Sequence, residues 1–203
     1  MPAQRLVVLD RTVTARAQPG AGANAVGTID ARTPLAHEQT ALPVIAAVDG
    51  GAWLEVRLPA RPNGSTGWIP ASAGTTAETA WRIVVHRAAH RADVFDAGAR
   101  RASFPVVTGK PSTPTPLGTF FVTEKLHLAP GVAEGPWALA TSAYSDVLRQ
   151  FGGGPGQIAL HGVVGLPAPL GTSASHGCIR FANAAITWIA AHVRTGTPVI
   201  VER

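Results

Sequence analysis

With 203 residues, 46% of them hydrophobic and 14% charged, the chain is long and apolar enough for one large or two small packed domains, which excludes a disordered polymer. Abundant Gly (22) and Pro (17), without long runs built from Leu, Glu and Lys, favour short strands and turns over a helical bundle. The net charge of +5 comes from 15 Arg and 2 Lys that are scattered along the chain, which argues against a dedicated nucleic-acid stripe; residues 76–203 hold 11 basic residues against 7 acids, a balance that suits an anionic polymer or acidic peptide as well as a plain solvated surface.

The first residues, "MPAQRLVVLD", reach an acid at Asp10 after a very short apolar run, so they do not read as a signal peptide. No apolar stretch approaches the roughly 18 residues of a membrane span. Short apolar runs follow ("LVVL", "AVGTI", "LPVIAAV", "WLEVRL", "GWI"), separated by Gly, Pro, Asn and Asp at intervals typical of a small strand-and-turn barrel. In "AWLEVRL", Trp53, Glu55 and Arg57 alternate with Leu54, Val56 and Leu58, giving one apolar and one mixed face. A tryptophan strand, the turn in "RPNGSTGWI" and a closing "GW" strand together resemble a bacterial SH3-like domain, and we place that domain at residues 1–73. It implies either a wall-binding module or a packing partner that shapes a neighbouring cleft. "PASAGTTAETA" is small, polar and turn-forming, so residues 74–80 read as a linker to a second domain at residues 81–203.

"WRIVVHR" and "ADVFDAGARRASFPVVTG" read as consecutive strands joined by a turn at Asp96–Gly98. In "TPTPLGTFFVTEKL" prolines hold the chain extended before a strand begins at Gly118. Only "NAAITWIAAHVRTG" is helical: Ile186, Ile189, Ala190 and Val193 recur at helical spacing, with Asn183 to cap its start and Gly196 its end. "TPVIVER" is then a final strand, and the fold class is mainly β with one helix near the C-terminus.

The single cysteine, Cys178, excludes an intrachain disulfide and lies in "SASHGCIRF". His161, in "QIALHGVVGLP", ends a short apolar run seventeen residues earlier. Gly165, Pro167, Pro169 and Gly171 make the intervening segment a loop able to bring the two side chains together. A histidine within hydrogen-bond reach of a thiol is sufficient for acyl transfer. Gly177 lets the backbone turn sharply just before the thiol and present N–H groups, the cysteine's own foremost, to a developing oxyanion. Arg180 shares a face with Cys178 in an extended segment, where it holds either a substrate carboxylate or a structural salt bridge.

The frame "HGVVGLPAPLGTSASHGCIRF" resembles the active-site signature of L,D-transpeptidases with a YkuD-type catalytic domain, and "TPTPLGTF" and "GTPVIV" resemble further segments of that domain. The resemblance covers roughly residues 80–203 and implies a β-rich catalytic domain, with no cofactor or metal, acting on peptidoglycan stem peptides. By position it makes Cys178 the nucleophile and His161 the general base, the Gly162 carbonyl orienting the imidazole; Ser175, His176 and Gly177 support the oxyanion loop, and Tyr144 lines the donor site. The implied donor is a tetrapeptide stem cleaved after its third residue, with release of D-alanine. An amine of a neighbouring stem then gives a 3→3 cross-link, water gives L,D-carboxypeptidase activity and a D-amino acid gives exchange. A carbapenem is an expected acylating agent of the same thiol. The implied location is extracytoplasmic, at the cell wall or in the periplasm, with the export signal or anchor outside this chain.

Other chemistries fit less well. His161, His176 and Cys178 are acceptable zinc ligands, yet no fourth ligand or catalytic carboxylate stands beside them in the sequence. A sortase-like enzyme shares the order His, Cys, Arg without the tight S-H-G-C packing, and papain-like peptidases place Cys before His. A non-catalytic wall-binding protein, or a merely buried cysteine, leaves the intact His161 and Cys178 pair without a purpose. His37, His86, His90, His127 and His192 stand in no comparable frame and are read as surface or packing residues.

Overall fold

The computed structural model describes residues 2–165 and 168–203; Pro167, one of the predicted loop residues, lies outside them. The N-terminal half is a seven-stranded antiparallel sheet. It is built from β1 (Gln4–Leu9), β2 (Val13–Arg16), β3 (Ala25–Ile29), β4 (Ala41–Val48), β5 (Trp53–Arg57), β6 (Thr66–Pro70) and β7 (Gly74–Thr79), in the order β3-β2-β6-β5-β4-β1-β7. The alternation in β5 is realised: Leu54, Val56 and the following Leu58 are buried while Trp53, Glu55 and Arg57 stay at the half-exposed face. Residues 74–79 correct the linker reading of 74–80. They form the edge strand β7, paired along its whole length with β1 from Gln4↔Thr79 to Leu9↔Gly74. An edge strand held by backbone bonds and mostly exposed needs no apolar alternation, so its small polar residues carried no strand signal.

The second half centres on an eight-stranded sheet of order β10-β9-β8-β17-β12-β13-β14-β16. Its strands are β8 (Trp81–His86), β9 (Arg91–Asp96), β10 (Ala99–Pro105), β12 (Gly118–His127), β13 (Trp137–Tyr144), β14 (Gln157–His161), β16 (Ile179–Arg180) and β17 (Pro198–Glu202). Two short strands, β11 (Thr108–Gly109) and β15 (Ser173–Ser175), pair with each other in parallel. The sheet is otherwise antiparallel except at β17 beside β8 and β16 beside β14. The α-helix α1 (Asn183–His192) lays Ala185, Ile186, Ile189 and Ala190 on β13 and β14. Asn183 is not its side-chain cap. The N-cap is Ala182, and the Asn183 side chain is drawn instead to the backbone beyond His161.

Two apolar cores result, and β12 serves both. Phe120 and Val122 point into the core of the second half, with Ile83, Val85, Leu139, Leu160, Ile186 and Val199. Phe121, on the opposite face, is 1% exposed and packs in the N-terminal core with Val7, Leu9, Leu42, Val56 and Ile69. The buried Glu124, also on β12, accepts the Leu35 N–H at 2.7 Å and the Ala36 N–H at 2.5 Å, a second tie between the halves. Phe121→Ala is therefore expected to lower stability by about 3–5 kcal/mol through the cavity left in the N-terminal core. Urea unfolding followed by tryptophan fluorescence checks it, and a loss below about 1 kcal/mol would show that the two halves do not depend on this joint.

Candidate active site

His161 is the last residue of β14, and β16 runs parallel beside that strand with Leu160↔Ile179 and His161↔Arg180 in register. Cys178 immediately precedes β16, so the register carries its sulfur to the neighbouring backbone, where the Ala159 N–H donates to Sγ at 3.4 Å. The two side chains, separated by a loop in sequence, line one cavity of about 240 Å³ together with Glu134, His176 and Arg180. The His161 Nδ1 lies 2.6 Å from the Gly162 carbonyl oxygen, which can only accept; Nδ1 therefore carries the proton and Nε2 is left bare. That peptide is itself braced, because Asn183 Oδ1 accepts the Val163 N–H at 2.9 Å and fills the place a Cβ on Gly162 would take.

The turn carrying the thiol is held from three sides. Gly177 has φ 122°, a conformation that favours glycine, and a Cβ there would stand 2.8 Å from Ile158. The fully buried Ser175 accepts the Gly177 N–H at 3.0 Å and donates to the Cys178 carbonyl at 2.5 Å. Thr115 donates to the Gly177 carbonyl at 2.8 Å and Thr113 to the Ser175 carbonyl at 3.2 Å. Because a trans peptide sets its N–H opposite its C=O, Thr115 fixes the direction of the Cys178 N–H, which points away from it. His176 contributes none of these bonds: its exposed ring stacks on Phe151 at 4.8 Å, so the bracing expected of His176 is done by Ser175 and the two threonines.

Residues 80–201 match the YkuD L,D-transpeptidase catalytic domain. The chain belongs to that family. The fold agrees with solved structures: L,D-transpeptidase 3 from Mycobacterium tuberculosis in complex with a faropenem-derived adduct is 18% identical over 81% of this chain and 91% of its own, with a TM-score of 0.54. An L,D-transpeptidase from Mycobacterium smegmatis is 19% identical over 100% of both chains, with a TM-score of 0.51. No curated protein sequence matches the chain.

In this L,D-transpeptidase, burial governs the electrostatics of the cavity. Burial pushes the Cys178 thiol above its ordinary range, against the lowering effects of the Ala159 N–H and the Arg180 guanidinium; Glu134 adds to the rise. Burial also lowers His161, Arg180 acting the same way and the Gly162 bond and Glu134 opposing it. Both shifts favour the uncharged forms, thiol and imidazole, over the charged ones.

Arg180 lines this cavity, and its buried Nε has no hydrogen-bond partner among the described residues. Among the described residues no carboxylate lies within salt-bridge reach of it, which removes the structural ion pair as its role. Tyr144 is a correction. Its hydroxyl donates to the Pro59 carbonyl at 3.1 Å and its ring lies under Arg61, so it lines a separate cavity at the joint between the halves and not that of the thiol. Thr113, Thr115 and Glu134 also belong to the site without a motif that marks them in the sequence, and Asn183, expected only as a helix cap, braces the peptide after His161. The only available signal was two threonines between the prolines of "TPTPLGTF", where hydroxyls on an extended segment present donors at a two-residue spacing. Among the described residues no three His, Cys, Asp or Glu side chains form a group suited to a metal. No helix among them is long and apolar enough to cross a membrane.

Proposed function

We propose that Cys178 is the nucleophile and His161 the general base of L,D-transpeptidation on a peptidoglycan tetrapeptide stem. The observation that carries it is the parallel pairing of β14 with β16, which brings His161 and Cys178 into one cavity with a bare Nε2 available. Sγ attacks the carbonyl of the third stem residue while Nε2 takes the thiol proton. The oxyanion is stabilised by the Cys178 N–H, whose direction Thr115 fixes. The C–N bond then breaks, imidazolium returns the proton to the departing D-alanine amine, and a thioester remains. An amine of a neighbouring stem attacks this thioester, His161 accepts the amine proton, and the thiolate leaves and is reprotonated. The product is a 3→3 cross-link, while water or a D-amino acid in place of that amine gives hydrolysis or exchange.

Arg180, whose buried Nε has no hydrogen-bond partner among the described residues, holds a substrate carboxylate in this reading. The N-terminal strands, up to Thr79, act as an SH3-like module that positions the catalytic domain, a reading supported by the Trp53 strand and the closing Trp68 strand pairing side by side. The site of action is extracytoplasmic, where the stem peptides are. Incubation with purified tetrapeptide-bearing muropeptides and mass analysis tests the assignment. A dimer lighter than two monomers by one D-alanine and no other group is expected, and recovery of every stem with its terminal residue intact would overturn it.

A further inference from the structure

We propose that Arg61, in the N-terminal half, is a positioning residue for the active site: it holds in place the loop between β13 and β14 that walls the thiol's cavity. The inference rests on the reading of Cys178 as the nucleophile. β13 ends at Tyr144, paired with Gln157 of β14, and the Ser145 N–H closes the neck of the loop on the Gly156 carbonyl at 2.8 Å. At the far end the chain reverses through Gly152 and Gly153, both at positive φ, between Phe151 and Gly154, whose backbones exchange two bonds of 3.0 Å. The loop's inner side supplies Ser145, Leu148, Phe151 and Gly156 to the cavity of Cys178. Little of it is anchored by its own apolar residues, since Val147 and Phe151 are each 52% exposed.

What fixes the loop comes from the other half of the molecule. The Arg61 guanidinium donates to three of its carbonyls, Ser145 at 2.8 Å, Leu148 at 3.1 Å and Pro155 at 3.1 Å, while lying 5.0 Å from the centre of the Tyr144 ring. Three carbonyl dipoles converging on one point repel one another, and a planar cation with divergent N–H groups turns that repulsion into attraction. Ser145 and Pro155 stand on opposite arms of the loop, so one side chain ties both. Asn63 extends the grip. Its amide donates to the Tyr144 carbonyl at 2.7 Å and accepts the Tyr144 N–H at 2.9 Å, as a neighbouring strand would, and also donates to Asp146 at 3.1 Å. The width of the cavity beside the thiol is therefore set by a residue outside the catalytic domain.

Full-length parent, Arg61→Met and Arg61→Lys proteins give the test, with folding followed by circular dichroism. Cys178 is labelled with fluorescein maleimide, which the wall obstructs, and with iodoacetamide, which is small. In Arg61→Met the bulky reagent is expected to react about fivefold faster and iodoacetamide to change by less than about twofold. On tetrapeptide stems KM is expected to rise about tenfold with kcat within about threefold of the parent, and Arg61→Lys, with charge but no fork, to fall between. A folded Arg61→Met protein with parental labelling and KM would overturn the proposal. Should that variant not fold, Asn63→Ala is expected to show the same pattern at smaller size; parental values there, or its failure to fold as well, would also overturn it. Labelling needs no turnover, so an inactive parent would count against the assigned reaction while the loop is still tested.

Discussion

Cys178→Ala is expected to lower acyl transfer by at least about 10⁴-fold with the chain still folded. The thiol is free, and its hydrogen bond among the described residues is the weak contact from the Ala159 N–H, so its removal leaves a small void costing about 1 kcal/mol. The surrounding turn is held by Ser175, Thr113 and Thr115 through backbone carbonyls and the Gly177 N–H, none of which depends on the sulfur. Release of D-alanine and intact-mass spectra of the acylated protein check the outcome. A folded variant that still forms cross-links would remove the cysteine from the mechanism.

The second large effect separates the two histidines. His161→Ala removes the bare Nε2, and acyl transfer is expected to fall by about 10³-fold or more, because His161 is the base that a backbone carbonyl positions among the described residues lining the cavity. His176→Ala loses a ring stacked on Phe151 and is expected to cost only a few-fold, seen mainly in KM. The pH profile of the parent follows from the two shifts. His161 is depressed below the ordinary 6.5, so the neutral imidazole the reaction requires persists to a more acid pH than a free imidazole would, and activity is lost only as pH falls through that lowered value. Cys178 is raised above 9.0, so the proton needed by the leaving amine is present up to that alkaline limit. A stopped-flow acylation profile flat from below 6.5 to above 9.0 is the expected result. A narrow bell, or a large loss confined to the His176 variant, would reverse the assignment.

Much of the site was legible because its chemistry is local. Ser175, Gly177 and Cys178 stand within four consecutive positions, and their mutual hydrogen bonds span two or three residues, the range over which sequence spacing fixes geometry. His161 was legible through the loop that returns the chain, although spacing did not dictate that β14 and β16 would be parallel neighbours. The remainder depends on contacts between distant segments. Thr113 and Thr115 reach the turn across 62 residues, and Arg61 reaches its loop across 84 or more. An arginine in a turn reads as solvated surface until three carbonyls are found around it. Tyr144 was misplaced for a related reason: it ends a strand whose next neighbour in space is the N-terminal half, which no local pattern announces. His176 shows that closeness in sequence can mislead, since in this turn the side chain of a residue two positions from the thiol faces Phe151.

The place of β17 in the sheet bears on how the protein is made. Pro198–Glu202 lies between β8 and β12, parallel to the first and antiparallel to the second, and joins what are otherwise two separate groups of strands. While the ribosome is still adding the residues before Pro198, the β8–β10 meander and the strands bearing the thiol have no bonded connection across the sheet. Phe120 and Val122 then lack Val199 and Val201 as neighbours. Completion of this sheet must wait for residue 202, and pairing partners more than a hundred residues apart make that step slow. Until β17 has paired, the unsatisfied edges of β8 and β12 are open to other chains, so the protein is most vulnerable to association in that interval.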